Sequence, residues 1–210
     1  MGLIIKTFVL GAIENNTYLL SDSETKQAAL VDPAVPSRQV LDHIQEEGLD
    51  LRQIWITHAH FDHIGGVRWF IDQSAAPLKV VIHPDALPLW KNAGGARDFG
   101  FDFDPGPAPA DMIQDGDTLS LGSLSFQVLH TPGHTPGHVT FYCAEATAAF
   151  CGDLIFYHGV GRTDLAGSDE GALIKSIRSQ IFTLPGATAL YPGHGRATTV
   201  QEEISNNPFL

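Results

Sequence analysis

The sequence predicts an α+β fold: a four-layer αββα sandwich in which two mixed sheets pack face to face with helices outside. Three observations carry that reading. Strands come in consecutive runs with helices interspersed in each half of the chain, which is neither a regular βαβ alternation nor an all-β pattern. Each half can supply a small sheet with outer helices, although sequence identity between the halves is too weak to mark a repeat. No linker divides the 210 residues, so 1–210 is expected to form a single domain with a substantial core.

Residues 3–8, 17–21 and 28–32 read as three strands joined by tight connections, the last ending in Val31-Asp32-Pro33. Ser37 N-caps a helix whose apolar face is Val40, Leu41 and Ile44 and which Gly48 ends. A strand over 52–56 leads into a histidine-rich loop, and Gly65-Gly66 opens a second helix carrying Val67, Phe70 and Ile71. A strand near 79–82 and a short helix near 85–92 follow. Residues 93–111 are rich in Gly and Pro, long for a structureless connection, and hold Phe99, Phe101 and Phe103. Two readings stand there: a lid or substrate-facing loop, and phenylalanines tucked over the edge of the core. Strands 117–121 and 124–130 form a hairpin about Gly122-Ser123, and strands near 138–143 and 147–151 continue the sheet. Ser168 caps a helix running to about 180, 187–191 is a last strand, and Thr199-Val200-Gln201-Glu202 matches a capping box for the final helix.

Composition excludes several function classes. No 18-residue apolar stretch exists, so no membrane span is expected. The start, MGLIIKTFVLG, lacks a basic leader and a small-residue cleavage pattern, so a cytoplasmic location with free Cys143 and Cys151 is expected. A net charge of −12 argues against nucleic acid, whose phosphates demand a basic face. It leaves an anionic small substrate possible, because bound metal ions invert the local potential.

The chemistry is concentrated in four clusters. His58, His60, Asp62 and His63 crowd into six positions after the apolar run Ile54-Trp55-Ile56. Neutral imidazoles with carboxylates are ligands that zinc or iron prefers, and so dense a titratable run is costly to bury without a cation. The second cluster, Leu129-His130-Thr131-Pro132-Gly133-His134-Thr135-Pro136-Gly137-His138, follows a strand, and its Pro and Gly residues fix a tight loop. Cys151-Gly152-Asp153 and Tyr191-Pro192-Gly193-His194-Gly195 are the third and fourth, each just past an apolar strand. All four therefore sit at strand C-termini, from which they can converge on one edge of the fold.

In order and spacing the series resembles the metallo-β-lactamase superfold: His-x-His-x-Asp-His, then Gly-His, Gly-Asp and Gly-His. Within it, Thr-Pro-Gly-His-Thr-Pro-Gly-His, Gly-Asp-Leu-Ile-Phe and Gly-Val-Gly-Arg-Thr-Asp-Leu look like the glyoxalase II branch. The ending Pro-Gly-His-Gly…Asn207-Pro208-Phe209-Leu210 is similar to short, single-domain bacterial hydroxyacylglutathione hydrolases. The resemblance implies that His58, His60 and His134 hold one metal ion and that Asp62, His63 and His194 hold a second. Asp153 would bridge them, and Asp62 and Asp153 would serve catalysis. Two divalent ions are implied, zinc first, with iron or a mixed pair as the alternative. They would sharpen a shared water into a hydroxide that attacks the thioester carbonyl of a substrate such as S-lactoylglutathione. A thiolate leaving group needs little protonation, in keeping with the absence of an obvious general acid.

Other residues carry open alternatives. Arg162 stands where the family uses a lysine to contact glutathione, so it is the expected substrate-binding residue; an ion pair with Asp164 that merely shapes the loop is the other reading. Arg196 and Asp164 replace two substrate-contacting tyrosines of the family, and the helical domain with which longer members grip glutathione has no counterpart before Leu210. His43 and His83 read as surface or capping residues, His158 as an exposed residue with an approach to substrate as the alternative, and His130 and His138 as hydrogen-bonding neighbours of a ligand. Asp32 either supports the site or makes an Asx-type turn. Competing activities are an iron-dependent persulfide dioxygenase using His58, His134 and Asp153, a lactonase, and a metal-binding module without catalysis.

Overall fold

The computed structural model describes residues 2–210. Its first sheet contains β1 (Leu3–Leu10), β2 (Asn15–Asp22), β3 (Gln27–Val31), β4 (Asp50–Trp55), β5 (Lys79–Ile82) and β6 (Asp111–Met112), in that spatial order. β1, β2 and β3 pair antiparallel, whereas β3 to β6 run parallel. The connections between parallel strands carry α1 (Arg38–Glu46), α2 (Phe61–Ile64), α3 (Val67–Gln73) and α4 (Leu87–Lys91). The second sheet begins with an antiparallel run of β7 (Thr118–Leu121), β8 (Leu124–His130), β9 (Val139–Cys143) and β10 (Ala148–Gly152). A small ribbon, β11 (Ile155–Phe156) with β12 (Gly159–Val160), precedes α5 (Glu170–Ser176). Then β13 (Ala189–Pro192) pairs parallel with β10, and β14 (Thr198–Thr199) closes that edge before α6 (Val200–Asn206).

Burial on both faces of the strands creates the four layers. Along β2, Tyr18 and Leu20 enter one apolar cluster and Leu19 another; along β3, Ala29 and Val31 oppose Leu30; in β4, Trp55 opposes Ile54. The central seam joins the sheets, with Trp55 set edge-on against Phe126 at 4.8 Å. The outer seams hold Val40, Ile44, Val67, Phe70 and Trp90 against the first sheet, and Leu173, Ile177, Ile181 and Val200 against the second. This is the α+β αββα architecture expected from the sequence. Among the described residues no helix is long and apolar enough to cross a membrane.

Most elements fall where the residues place them, with physical reasons for the differences. Ser37 caps α1 by accepting from Val40 N–H at 3.4 Å. Asp169, not Ser168, caps α5, accepting from Ala172 N–H at 2.9 Å. The two are adjacent residues of equal capping ability; here the Ser168 hydroxyl is committed to the His134 carbonyl at 3.1 Å. Thr199 caps α6, but Glu202 does not return the second arm of a capping box, since its carboxylate accepts from His158 and Asn206. Gly66 opens α3 as its N-terminal flanking residue, as expected, and the unexpected element is the single turn α2 just before the two glycines. The helix near 85–92 starts as a 3-10 turn over Pro84–Ala86. In the 93–111 stretch a 3-10 segment covers Ala93–Phe99.

The sheets also fix one functional edge. β3 and β4 are parallel, and β8, β10 and β13 share a direction in the other sheet. Their C-terminal ends therefore open on the same side, each just before a residue of the histidine and aspartate clusters.

Candidate metal centre

Asp32 follows β3, His58 and His60 follow β4, His134 follows β8, Asp153 follows β10 and His194 follows β13. Val31 is paired with Trp55 and Gly152 with Pro192, so the register sets Asp32 beside the His58 loop and Asp153 beside the Gly193-His194 turn. The ligand atoms of His58, His60 and His134 lie within 4.8 Å of one another, as do those of Asp62, His63 and His194. Asp153 reaches both groups: Oδ1 is 3.4 Å from His63 Nε2, and Oδ2 is 3.7 Å from both His134 Nε2 and His194 Nε2. The seven residues singled out from sequence thus gather at one rim.

Hydrogen bonds determine which nitrogen each ring turns inward. The Thr57 hydroxyl donates to Asp32 Oδ2 at 2.5 Å, so the 3.1 Å contact between Thr57 Oγ1 and His58 Nδ1 has the imidazole as donor. His58 Nε2 is left as a buried lone pair with no hydrogen-bond partner. His63 Nδ1 donates to Asp32 Oδ2 at 2.8 Å, His134 Nδ1 to the Arg162 carbonyl at 2.9 Å and His194 Nδ1 to the Ile13 carbonyl at 3.0 Å. Each bond presents Nε2 to the centre, the arrangement by which outer partners orient metal-binding histidines. His60 Nδ1 faces His134 Nε2 at 2.9 Å. Asp153 Oδ1 is a second buried acceptor without a partner. Orphaned nitrogen and carboxylate lone pairs converging in a nearly dry rim fit a divalent cation, whose binding satisfies them together. One contact competes: the Asn15 amide lies 2.9 Å from His63 Nε2, and a cation on that nitrogen must take its place.

Electrostatics divide the centre. Burial, reinforced by the neighbouring imidazoles, pushes His58 far below its usual range and His60 down to about 3; burial also lowers His134. These rings are neutral near pH 7, as ligands must be. Burial opposes protonation of His63 as well, but Asp62, Asp153 and Asp32 outweigh it and hold the ring well above the ordinary value. Asp153 is kept ionised against burial by His63, His134 and His194. The field that favours a proton on His63 equally favours a cation, so metal uptake at this half competes with that proton.

Three residues were not singled out from sequence as parts of the centre. Thr57 is the relay from His58 to Asp32; its only signal is that it immediately precedes the motif. Asn15 carries none beyond lying at a strand end, and Gly193 stands in the Gly-His motif without a role of its own there. Asp32 supports the site, as one of its two readings holds. His138 stacks on His58 at 5.2 Å, its Nδ1 2.9 Å from Thr131 Oγ1. His130 instead stacks on His83 at 4.1 Å and reaches the Pro136 carbonyl, outside the centre. Asp32 accepts from three donors, so Asp32→Asn sets an amide against Thr57 or His63 and drives the wrong tautomer. Metal affinity is expected to fall about 10–100-fold, measured by competition with a chelator.

Known proteins match the chain over nearly its whole length. The profile described as the Metallo-beta-lactamase superfamily matches residues 10–194. The hydroxyacylglutathione hydrolase GloC of Haemophilus influenzae is 33% identical over 207 residues, covering 98% of this chain and 97% of that protein. The mitochondrial persulfide dioxygenase ETHE1 of Bos taurus is 34% identical over 200 residues, covering 92% of this chain and 70% of that protein. Among solved structures, TTHA1623 in a di-iron-bound form superposes with a TM-score of 0.88 at 40% identity, covering 98% of this chain and all (100%) of the other. The BLEG-1 B3 metallo-beta-lactamase superposes with a TM-score of 0.90 at 33% identity, covering 99% of each chain.

Proposed function

Since the chain belongs to the metallo-β-lactamase superfamily, we propose that it is a metal-dependent hydrolase of glutathione thioesters, S-lactoylglutathione among them. The observation that carries this reading is a complete pair of triads joined by one carboxylate. His58, His60 and His134 would hold one divalent ion and Asp62, His63 and His194 a second, with Asp153 between them. The likeness to GloC over nearly the full length of both proteins supports the thioester chemistry. Five imidazoles with two carboxylates suit zinc, the ion we assign, and suit iron as well, which the di-iron-bound relative supports.

Bound there, a divalent pair supplies an activated water and a Lewis acid for the substrate carbonyl. The chain itself holds the rings in single tautomers, keeps Asp62 and Asp153 ionised to offset charge and orient the water, and excludes bulk solvent from the His58 side. The departing thiolate requires no proton donor. Arg162 lines the cavity over these groups and is assigned to the polar half of the substrate. It also forms the loop-shaping ion pair, with Nε and Nη2 on the Asp164 carboxylate at 2.7 and 2.8 Å, which is the second of its two sequence readings. We place the activity in the cytoplasm, in keeping with the free thiols Cys143 and Cys151.

The second reading, a persulfide dioxygenase, is favoured by the bovine relative and by the placement of His58, His134 and Asp153, a two-histidine, one-carboxylate set suited to one iron. The intact triad of Asp62, His63 and His194 favours the hydrolase. Metal analysis of freshly purified protein, followed by parallel assays, separates the two. Two ions per chain with hydrolysis of S-lactoylglutathione is the expected result. One iron with oxygen consumption on glutathione persulfide would assign the second reading instead.

A further inference from the structure

The cavity over the centre, about 460 Å³, is walled by unlike surfaces. Phe61, Phe99 and Phe101 make a continuous aromatic face in it, both outer rings lying 5.4 Å from Phe61. The lining also includes Phe156, Val160 and Leu165 and, with them, Arg162, the one cationic side chain lining the cavity among the described residues.

The aromatic face is fixed in place. Gly94 seats the 3-10 segment directly on the metal-ligand loop, where a Cβ would collide with the Phe61 backbone and the Ala59 carbonyl. Phe101 N–H closes on the Ala96 carbonyl at 3.0 Å, and the buried Trp90 indole donates to the Gly106 carbonyl at 3.4 Å. Phe103 packs into the core, whereas Phe99 and Phe101 remain 48% and 53% exposed at the cavity mouth. Two large apolar rings held half in water beside a catalytic rim are stabilised when a ligand covers them.

Resting on the thioester-hydrolase reading, we infer that the acyl half of the substrate is apolar, an unbranched medium-length or arylalkyl chain, and that Phe61, Phe99 and Phe101 select it. Glutathione, with two carboxylates and an ammonium, belongs on the Arg162 side. An acyl carbon at the centre then directs its chain along the phenylalanines. A 2-hydroxyl, as in lactoyl, finds no hydrogen-bonding atom on the three rings and loses its water there. Each methylene laid on the rings contributes affinity until the cavity is filled.

The test pairs binding with turnover on the metal-loaded protein. Non-hydrolysable S-methyl-, S-butyl- and S-hexylglutathione are titrated by calorimetry, and kcat/KM is measured for the lactoyl, propionyl, butanoyl and hexanoyl thioesters. Affinity and kcat/KM are expected to rise up to about fourfold per methylene, with propionyl exceeding lactoyl. Phe99→Ala/Phe101→Ala is expected to flatten both series at unchanged metal content; their exposure leaves the core intact on truncation. Hydrolysis with no dependence on chain length, or a dependence the double variant retains, overturns the acyl assignment and leaves the hydrolase reading standing. No turnover of any thioester overturns both.

Discussion

Asp153→Asn is expected to abolish thioester hydrolysis, by about a thousandfold or more, while the fold persists. The substitution conserves shape and hydrogen-bonding reach but removes the charge shared by both triads. Asn also turns an N–H₂ toward His63 Nε2, or toward His134 and His194 Nε2, so donors oppose the lone pairs that would bind metal. Several kcal/mol of transition-state stabilisation depend on the ions, and about 1.4 kcal/mol is a factor of ten. Metal content is expected to drop from two ions per chain to one or none, with an unaltered circular dichroism spectrum. Full activity with both ions in place would remove Asp153 from the proposed centre. The result separates a bridging role from a merely structural one, because a structural carboxylate would lower thermal stability without changing metal stoichiometry.

Much of this centre was legible because its parts obey local rules. Ile54-Trp55-Ile56 and Ala149-Phe150-Cys151 are apolar runs too short for helices, and burial on both faces makes each a central strand. Strands that share a direction within a sheet end on one edge, and the face-to-face packing of the two sheets brings those edges together, which is why four distant clusters meet. The strands β6, β11, β12 and β14 escaped notice because two residues show no periodicity. Ser168 and Asp169 are equal capping candidates in sequence, and the deciding contact, Ser168 to the His134 carbonyl, spans 34 residues. Phe99 and Phe101 could be assigned to core or to substrate only after the Gly94 seat against Phe61 was known. Thr57 and Asn15 act through contacts to Asp32 and His63 that no spacing rule anticipates.

Gly193→Ala is expected to cost the centre nearly as much as the loss of Asp153, although glycine contributes no ligand. A Cβ there would collide with Asp153 Oδ1 and stand 2.7 Å from His63 Cε1, filling the gap between two proposed ligands. The backbone cannot withdraw. Gly193 N–H donates to the Gly152 carbonyl at 2.8 Å, and its own carbonyl accepts from Asn16 N–H at 2.7 Å. Asp153 must therefore rotate away or His63 must shift, and either change separates the two triads. Overpacking of this kind typically destabilises by about 1–3 kcal/mol, so the melting temperature should fall as metal content and hydrolysis are lost. Gly195 supplies the contrast two residues on: its φ of +74° disfavours a side chain, yet nothing lies within 4 Å of the added Cβ. Gly195→Ala should cost about 1–2 kcal/mol through backbone strain alone and retain both ions. Equal metal content in the two alanine variants would show that close approach at Gly193 is not what shapes the centre. A selective loss in Gly193→Ala, measured by elemental analysis at matched fold content, would tie the Gly-His motif to the space Asp153 requires.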